Sequence, residues 1–102
     1  PLQKTQYTEN IYWVFAMLLN DMTSLNGADE MMIELSQYGI GSRPFFFPLH
    51  NQPVLGYSNS ECPVSETIAR NGFYIPSGLA LTADEIDKVS DSLIAILHKN
   101  AL

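Results

Sequence analysis

The most distinctive segment of the chain is Ser42-Arg43-Pro44-Phe45-Phe46-Phe47-Pro48-Leu49-His50-Asn51-Gln52-Pro53. Side chains alternate between the two faces of a strand, so in a strand at 42–47 the ring of Phe46 would point away from its two aromatic neighbours. Both faces of that strand would need cover, from the chain itself or from a ligand, a partner domain or a second subunit. Pro44 and Pro48 lack backbone N–H groups, which favours an edge strand that soon becomes a loop.

Polar side chains stand at both ends of this aromatic run. Arg43 precedes it, and His50, Asn51 and Gln52 follow it. The arginine is a permanent cation, and the other three side chains can donate or accept hydrogen bonds. A cation, a run of aromatic residues and polar groups within ten positions are typical of a binding site.

Length and composition indicate one small domain. The chain has 102 residues, of which 46% are hydrophobic and 16% charged. Soluble proteins carry about 25% charged residues, so part of the surface either faces a partner or is covered by uncharged polar side chains. The formal net charge of −6 argues against nucleic-acid binding, which needs a basic surface.

The sequence predicts a soluble, cytoplasmic protein. No apolar run reaches the roughly 20 residues that cross a membrane, and the chain does not open with a secretion signal. Cys62 is the single cysteine, so neither an internal disulfide nor a zinc cluster is expected. Pro1 stands where a methionine would begin a gene product, which indicates either a fragment or a processed N-terminus. Residues 1–9 are interpreted as a linker or the remnant of a preceding element, and 10–102 as the domain.

Hydrophobic periodicity and turn residues predict seven elements. They are, in order, a strand at 10–19 that is buried on both faces, a helix capped by Asn26, a strand at 42–47, a long loop at 48–60, a short helix at 64–70, a strand at 73–76 and a last helix after Thr82. This order predicts an α+β fold, a two-layer sandwich with a small, mostly antiparallel sheet and helices on one of its faces. The sequence leaves undecided which residues or which partner cover the other face of the sheet.

The ends of the helices are predicted in more detail. Gly39 followed by Ile40 matches a left-handed glycine and the apolar residue that packs back on the first helix. Pro63 suits the first turn of the short helix, and Cys62 is interpreted as a residue at its start. Thr82 and Glu85 form a capping box. The last helix should bury the apolar stripe Ile86, Val89, Leu93 and Ile96 or Leu97.

Several short motifs in a fixed order resemble one enzyme family from about residue 10 onward. They are Asn10-Ile11-Tyr12-Trp13, Gly39-Ile40, the run 43–50 with Gln52-Pro53, Tyr74-Ile75-Pro76-Ser77-Gly78 and Leu81-Thr82-Ala83-Asp84-Glu85-Ile86. Together they resemble the C-terminal small domain of the pyridoxal-phosphate-dependent sugar aminotransferases named after DegT, DnrJ, EryC and StrS. The resemblance implies a parent enzyme of fold type I that transfers an amino group from glutamate to a keto group on a nucleotide-linked hexose. It also implies a large domain of the same chain, which holds the pyridoxal 5'-phosphate, and a homodimer.

The chain alone is predicted to be inactive and to bind no cofactor. The resemblance places the cofactor-bearing lysine in the large domain, and none of Lys4, Lys88 and Lys99 lies in the desolvated or cation-rich context that such a lysine needs. No catalytic residue and no metal site are therefore expected here, and the cofactor contacts stay unknown. The alternative is a free-standing α+β interaction module that docks on a partner through the aromatic strand.

The resemblance makes Arg43, Phe46, Phe47 and His50 the candidate substrate-binding residues. The guanidinium of Arg43 would hold the diphosphate of the nucleotide or the carboxylate of the amino donor, since its fork matches both. Phe46 and Phe47 would form a wall of the sugar pocket, and His50 would hydrogen-bond the sugar. The alternatives are a surface arginine, aromatic packing in the core or between domains, and a histidine that only anchors its loop.

Overall fold

The computed structural model describes residues 5–56 and 62–102. The elements in chain order are β1 (Phe15–Leu18), α1 (Ala28–Gln37), β2 (Arg43–Pro44), α2 (Pro63–Asn71), β3 (Gly72–Ile75) and α3 (Ala83–Lys99). Two single-turn 3-10 helices, Leu49–Asn51 and Pro53–Leu55, lie in the long connection between β2 and α2. The rest of that predicted loop, 57–60, and the first four residues of the predicted linker lie outside the described residues.

The described strands form one antiparallel sheet in the order β1-β3-β2. Phe15 lies opposite Ile75 in the β1–β3 pair, and Arg43 lies opposite Tyr74 in the β2–β3 pair. The last strand in sequence is therefore the central one, and the two earlier strands flank it. This confirms the predicted α+β class and the antiparallel sheet.

Two strands are shorter than their sequences predicted, and the cause is the length of β3. This central strand has only four residues, because α2 ends directly before it and Pro76 follows it. An edge strand can pair only where its partner is extended. The strand predicted at 10–19 therefore pairs only over β1, and the one predicted at 42–47 only over Arg43–Pro44, with a final hydrogen bond from the N–H of Phe45 to the carbonyl of Gly72 at 3.1 Å.

The core lies between one face of the sheet and helices α1 and α3. Its fully or nearly buried apolar residues come from both helices, from the residue after the α1 turn and from the central strand: Ala28, Met31, Leu35, Ile40, Phe73, Val89, Leu93 and Ile96. Met17 and Ile75 pack against this cluster from the same face of the sheet, which follows from strand alternation. Burial of these side chains supplies most of the stabilisation of the fold.

Some predicted burial is wrong. The strand predicted at 10–19 is not buried on both faces, since Trp13 before β1 is 74% exposed and Leu18 at the end of β1 is 55% exposed. Ile86 was expected in the apolar stripe of α3, yet it is 51% exposed, while Val89, Leu93 and Ile96 are buried as predicted. Ile86 lines an open groove between β1 and α3, so part of its side chain stays accessible to solvent.

One predicted helix cap is confirmed and one is wrong. Gly39 has φ +72°, and Ile40 donates its N–H to the carbonyl of Leu35 at 3.1 Å, which is the predicted end of α1. At the start of α1 the N-cap is Gly27 with φ +90°, not Asn26. A side chain at Gly27 would also lie 2.8 Å from the carbonyl oxygen of Arg70, so this position requires glycine.

The short and the long helices begin as predicted. Cys62 is the N-cap of α2 and Pro63 is its first residue. The capping box of α3 is present, with Thr82 Oγ1 accepting from the N–H of Glu85 at 3.3 Å and the Glu85 carboxylate accepting from the N–H of Thr82 at 2.8 Å. These two reciprocal bonds satisfy donors that the helix itself leaves without partners.

Replacing Thr82 by alanine is expected to lower the free energy of unfolding by about 1 kcal/mol, which is the usual effect of losing an N-cap. The hydrogen bonds from the Thr82 backbone N–H and hydroxyl hold the pKa of Glu85 below its ordinary value. A lowered folded-state pKa stabilises the fold above the unfolded-state pKa, and that stabilisation is lost as pH falls through the folded value. The Thr82→Ala effect should therefore be larger at neutral pH than in acid.

Urea denaturation at neutral and acidic pH measures this difference. Thr67→Ala is a matched control, because Thr67 is an exposed helix residue with no side-chain hydrogen bond among the described residues. An equal loss in both variants, or a loss at Thr82 that does not change with pH, would contradict the capping argument.

Candidate functional site

A cleft lies where the phenylalanine run, the first 3-10 turn, α2 and the start of α1 meet. Its volume is about 690 Å³, and it opens to solvent. The side chains that matter for its chemistry are Asp29, Arg43, Phe46, Phe47, Glu66 and Arg70. We call this the arginine–phenylalanine cleft. Its size lies in the range of small-molecule sites in proteins.

Tyr74 of β3 supports the aromatic wall of this cleft. The ring of Phe45 stacks on the Tyr74 ring with the centroids 4.7 Å apart, and the ring of Phe46 meets the same tyrosine edge-on at 6.2 Å. Phe46 and Phe47 stay 78% and 64% exposed. The predicted alternation of the three phenylalanines does not hold beyond Phe45, because the strand ladder ends there.

Arg43 is an exposed cation at the edge of the sheet. Within the described part of the chain its guanidinium makes no salt bridge and no side-chain hydrogen bond. Arg70, on the opposite wall, instead donates from Nη2 to the side-chain oxygen of Asn26 at 2.6 Å. Asp29 and Glu66 bring two carboxylates to the same cleft.

His50 lies beside the cleft and not on its surface. Its side chain is only 8% exposed, and Nε2 lies 2.9 Å from Oε1 of Glu66. The ring nitrogen donates in this pair, because an ionised carboxylate has no hydrogen to give. The bond ties the first 3-10 turn to α2, so His50 anchors its loop through a side-chain partner. The structure thus brings Arg43, Phe46 and Phe47 together and connects His50 to them through Glu66.

Three residues of the site were not predicted from the sequence. Tyr74, Glu66 and Asp29 come from three separate elements, and no local pattern links them to the segment 42–53. The positions of Tyr74 and Arg43 opposite each other depend on the strand register, which long-range pairing determines. The only available signal for Glu66 was a carboxylate in the first turn of a predicted helix, which by itself indicates a favourable helix end.

The two described lysines do not fit a covalent link to pyridoxal phosphate. Lys99 donates to both carboxylate oxygens of Glu34 at 3.0 and 2.9 Å on the surface of the helices, and Lys88 is exposed on α3. Neither amine is desolvated, so neither has the environment that a cofactor-binding lysine needs. Lys4 lies outside the described residues. In the described ranges no cluster of three or more histidine, cysteine, aspartate or glutamate side chains could hold a metal ion.

A second groove, of about 520 Å³, lies between β1 and α3. Its walls are almost entirely apolar and include Phe15, Ile75, Leu93 and the partly exposed Ile94. It offers no charged group, so its chemistry is that of a packing surface. No helix in the described part of the chain is both long enough and apolar enough to pass through a membrane.

Comparisons with known proteins agree on one family. A family model, the DegT/DnrJ/EryC1/StrS aminotransferase family, matches residues 1–94. The chain is 27% identical over 89 residues to the GDP-perosamine synthase of Caulobacter vibrioides, covering 86% of this chain and 24% of that protein. It is 26% identical over 88 residues to the GDP-perosamine synthase of Vibrio cholerae, covering 84% and 24%.

A further relative is EpsN of Bacillus subtilis, whose name assigns it to the pyridoxal phosphate-dependent aminotransferases. The identity is 32% over 87 residues, which cover 78% of this chain and 22% of EpsN. The chain therefore spans about a quarter of the length of each of these relatives.

Proposed function

Since the chain belongs to the DegT/DnrJ/EryC1/StrS aminotransferase family, we propose that it is the C-terminal small domain of a longer, cytoplasmic aminotransferase. The whole enzyme would transfer an amino group from glutamate to a keto carbon of a nucleotide-linked hexose, as in perosamine formation. Two of the relatives are GDP-perosamine synthases by name, and the chain spans about a quarter of each. A large domain of the same polypeptide would hold the pyridoxal 5'-phosphate, and the enzyme would work as a homodimer.

The arrangement that carries this proposal is the convergence of Arg43, Phe46 and Phe47 on one cleft. A guanidinium that has no partner among the described residues, beside exposed aromatic rings, suits a ligand that has both an anionic group and a planar or apolar group. A nucleotide-linked sugar has both. In the proposed enzyme these three residues bind substrate, and His50 acts beside them by holding Glu66 in position. None of them takes part in the chemistry at the cofactor.

The exposed surface supports a partner domain. The chain exposes 7890 Å², whereas a self-contained monomer of this mass exposes about 5,800 Å². The excess includes Phe46, Phe47, Trp13 and the apolar groove beside α3. Large apolar patches on a domain surface mark interaction sites, and here the large domain and the second subunit are the proposed partners.

The isolated chain is expected to form no stoichiometric covalent adduct with pyridoxal phosphate. Its described lysines, Lys88 and Lys99, are exposed and should react no better than free amines. Borohydride reduction followed by peptide mass spectrometry measures the adduct at each lysine. Selective and complete labelling of one lysine of the 102-residue chain would contradict the proposed division between domains.

The longer protein that the complete reading frame encodes provides the positive test of the proposed aminotransferase activity. The longer protein should form aminosugar from a nucleotide-linked keto-hexose with glutamate as donor, and the 102-residue chain should not. Arg43→Gln in the longer protein should raise KM for the sugar nucleotide or for glutamate about tenfold, the effect of losing one charge-assisted contact. Lys88→Gln is the control. A start codon directly before Pro1, together with binding of a protein partner through Phe46, would instead favour the free-standing interaction module.

A further inference from the structure

A small polar cavity lies between the loop that connects β1 to α1 and the last turns of α2. Its volume is about 280 Å³, just below the usual range of small-molecule sites. We call it the polar loop cavity. No aromatic side chain of the described residues lines it, in contrast to the arginine–phenylalanine cleft. The polar side chains of its walls belong to Asn20, Asp21, Asn26, Thr67, Arg70 and Asn71.

Three contacts join the two walls of the polar loop cavity. The N–H of Leu19 donates to the carbonyl of Asn71 at 3.0 Å. Nη2 of Arg70 donates to Oδ1 of Asn26 at 2.6 Å. Gly27 comes so close that a Cβ there would lie 2.8 Å from the carbonyl oxygen of Arg70. Walls that are already joined need little reorganisation when a ligand binds, which favours affinity.

The loop wall is also tied to the end of the chain. The backbone N–H and the hydroxyl of Ser24 both donate to the carbonyl of Asn100, at 2.8 and 3.1 Å. The N–H of Leu102 donates to the carbonyl of Met22 at 3.3 Å. These bonds hold the loop in one conformation before any ligand arrives, so the polar groups on it are preorganised.

Two opposite charges line this cavity without a charged partner. Within the described ranges the carboxylate of Asp21 makes no salt bridge and no side-chain hydrogen bond, and Arg70 makes its single side-chain bond to Asn26. A guanidinium has five N–H donors, so most of those of Arg70 stay available. In the same ranges the side chains of Thr67 and Asn71 make no hydrogen bond either. The cavity therefore offers an anion, a cation and two neutral polar groups.

This combination selects a zwitterion over a ligand with one charge. An anion would satisfy Arg70 but would leave Asp21 facing a like charge, and a cation would do the reverse. A free α-amino acid carries an ammonium and a carboxylate on one carbon, so it satisfies both residues at once. An uncharged polar side chain on the ligand adds hydrogen bonds to Thr67 and Asn71 without disturbing that balance.

We propose that the polar loop cavity is a ligand site that binds a free α-amino acid with a small, uncharged polar side chain. The ligand's carboxylate lies at Arg70, its ammonium at Asp21, and its side chain at Thr67 and Asn71. This proposal rests on the geometry of the cavity and not on the proposed function. Arg70 also lines the arginine–phenylalanine cleft. A carboxylate bound to it reduces the positive charge of that cleft, so the amino acid acts as an effector of anion binding there.

Titration of L-asparagine into the 102-residue chain tests the proposal, with binding followed by backbone amide chemical shifts. Saturable shifts are expected within 19–27 and 67–71, with a Kd of about 1 mM, a modest affinity for a ligand of this size. Arg70→Gln and Asp21→Asn should each weaken binding about tenfold, because each removes one charge-assisted contact. The matched controls, Lys88→Gln and Asp91→Asn, remove the same charges from exposed residues of α3 and should leave binding unchanged.

Two analogues of asparagine test each charge without changing the protein. Succinamic acid lacks the amino group, so it should bind about tenfold more weakly and lose no further affinity with Asp21→Asn. 3-Aminopropanamide lacks the carboxylate, so it should bind about tenfold more weakly and lose no further affinity with Arg70→Gln. This crossed pattern is expected only if the two charges of the ligand lie at these two residues.

Urea denaturation identifies variants whose loss of binding comes from unfolding, and the analogues on the unaltered chain decide the question in that case. A folded chain without saturable shifts in these two segments at tens of millimolar L-asparagine would overturn the proposal. Equal binding of asparagine, succinamic acid and glucose would also overturn it, because the cavity would then not distinguish a zwitterion. Aminotransfer by the longer protein is measured separately, so the two proposals can fail independently.

Discussion

Replacing Phe73 by alanine should lower the free energy of unfolding by about 3–5 kcal/mol, the usual effect of removing a fully buried aromatic side chain. Phe73 is 1% exposed and lies on the central strand, where it meets residues of both α1 and α3. A chain of this length is stable by only about 5–15 kcal/mol. The variant should therefore unfold at a much lower urea concentration, and a large fraction of it should be unfolded in buffer.

Phe47→Ala is the matched control for this experiment. It removes the same side chain from a residue that is mostly exposed, and it should change stability by less than about 1 kcal/mol. Circular dichroism during urea denaturation measures both variants. Similar losses for Phe73 and Phe47 would mean that the phenylalanine run is part of the core and not a surface.

Replacing Gly72 by alanine should destabilise the chain by about 1–3 kcal/mol through overpacking. A Cβ built at Gly72 lies 2.5 Å from Cδ2 of Phe45 and 2.6 Å from the carbonyl oxygen of Ile68. The helix carbonyl cannot move without disturbing the end of α2, so the phenylalanine ring must shift. Because Phe45 stacks on Tyr74, that shift should disturb the aromatic wall of the cleft as well.

The control for Gly72 is Gly41→Ala, where the added Cβ has no heavy atom within 4 Å and the backbone does not have a positive φ. Urea denaturation should show little change for Gly41→Ala, or a slight gain, because alanine restricts the unfolded chain. Ring-proton chemical shifts of Phe45 and Tyr74 report the expected movement at Gly72. A Gly72→Ala chain with unchanged stability and unchanged ring shifts would show that the close approach to Phe45 is not needed for folding.

Several predictions that rest on neighbouring residues were correct. The capping box at Thr82, the left-handed turn at Gly39 and the start of α2 at Pro63 depend on residues within a few positions of one another, and all are confirmed. Asn26 was the wrong cap for α1, because the close approach of the Arg70 carbonyl to the N-cap position requires glycine there. That contact joins positions more than 40 residues apart.

The residues of the arginine–phenylalanine cleft also differ in whether neighbouring residues predict them. Arg43, Phe46 and Phe47 are neighbours in sequence and could be selected together from their chemistry. Glu66 and Tyr74 could not, since the register of β2 against β3 and the docking of the 3-10 turn on α2 bring them to the cleft. Likewise, nothing local indicated that His50 would be buried against a glutamate 16 residues later.

Short-range patterns in the chain were enough to establish the α+β class, most of the helix ends, the acidic composition, and the family through its ordered motifs. The folded arrangement alone established how long each strand is, which aromatic rings stay exposed, and which carboxylate His50 holds. The reason is physical. Caps, turns and periodicity are free-energy preferences of neighbouring residues, whereas strand length and burial depend on partners that folding brings from distant parts of the chain.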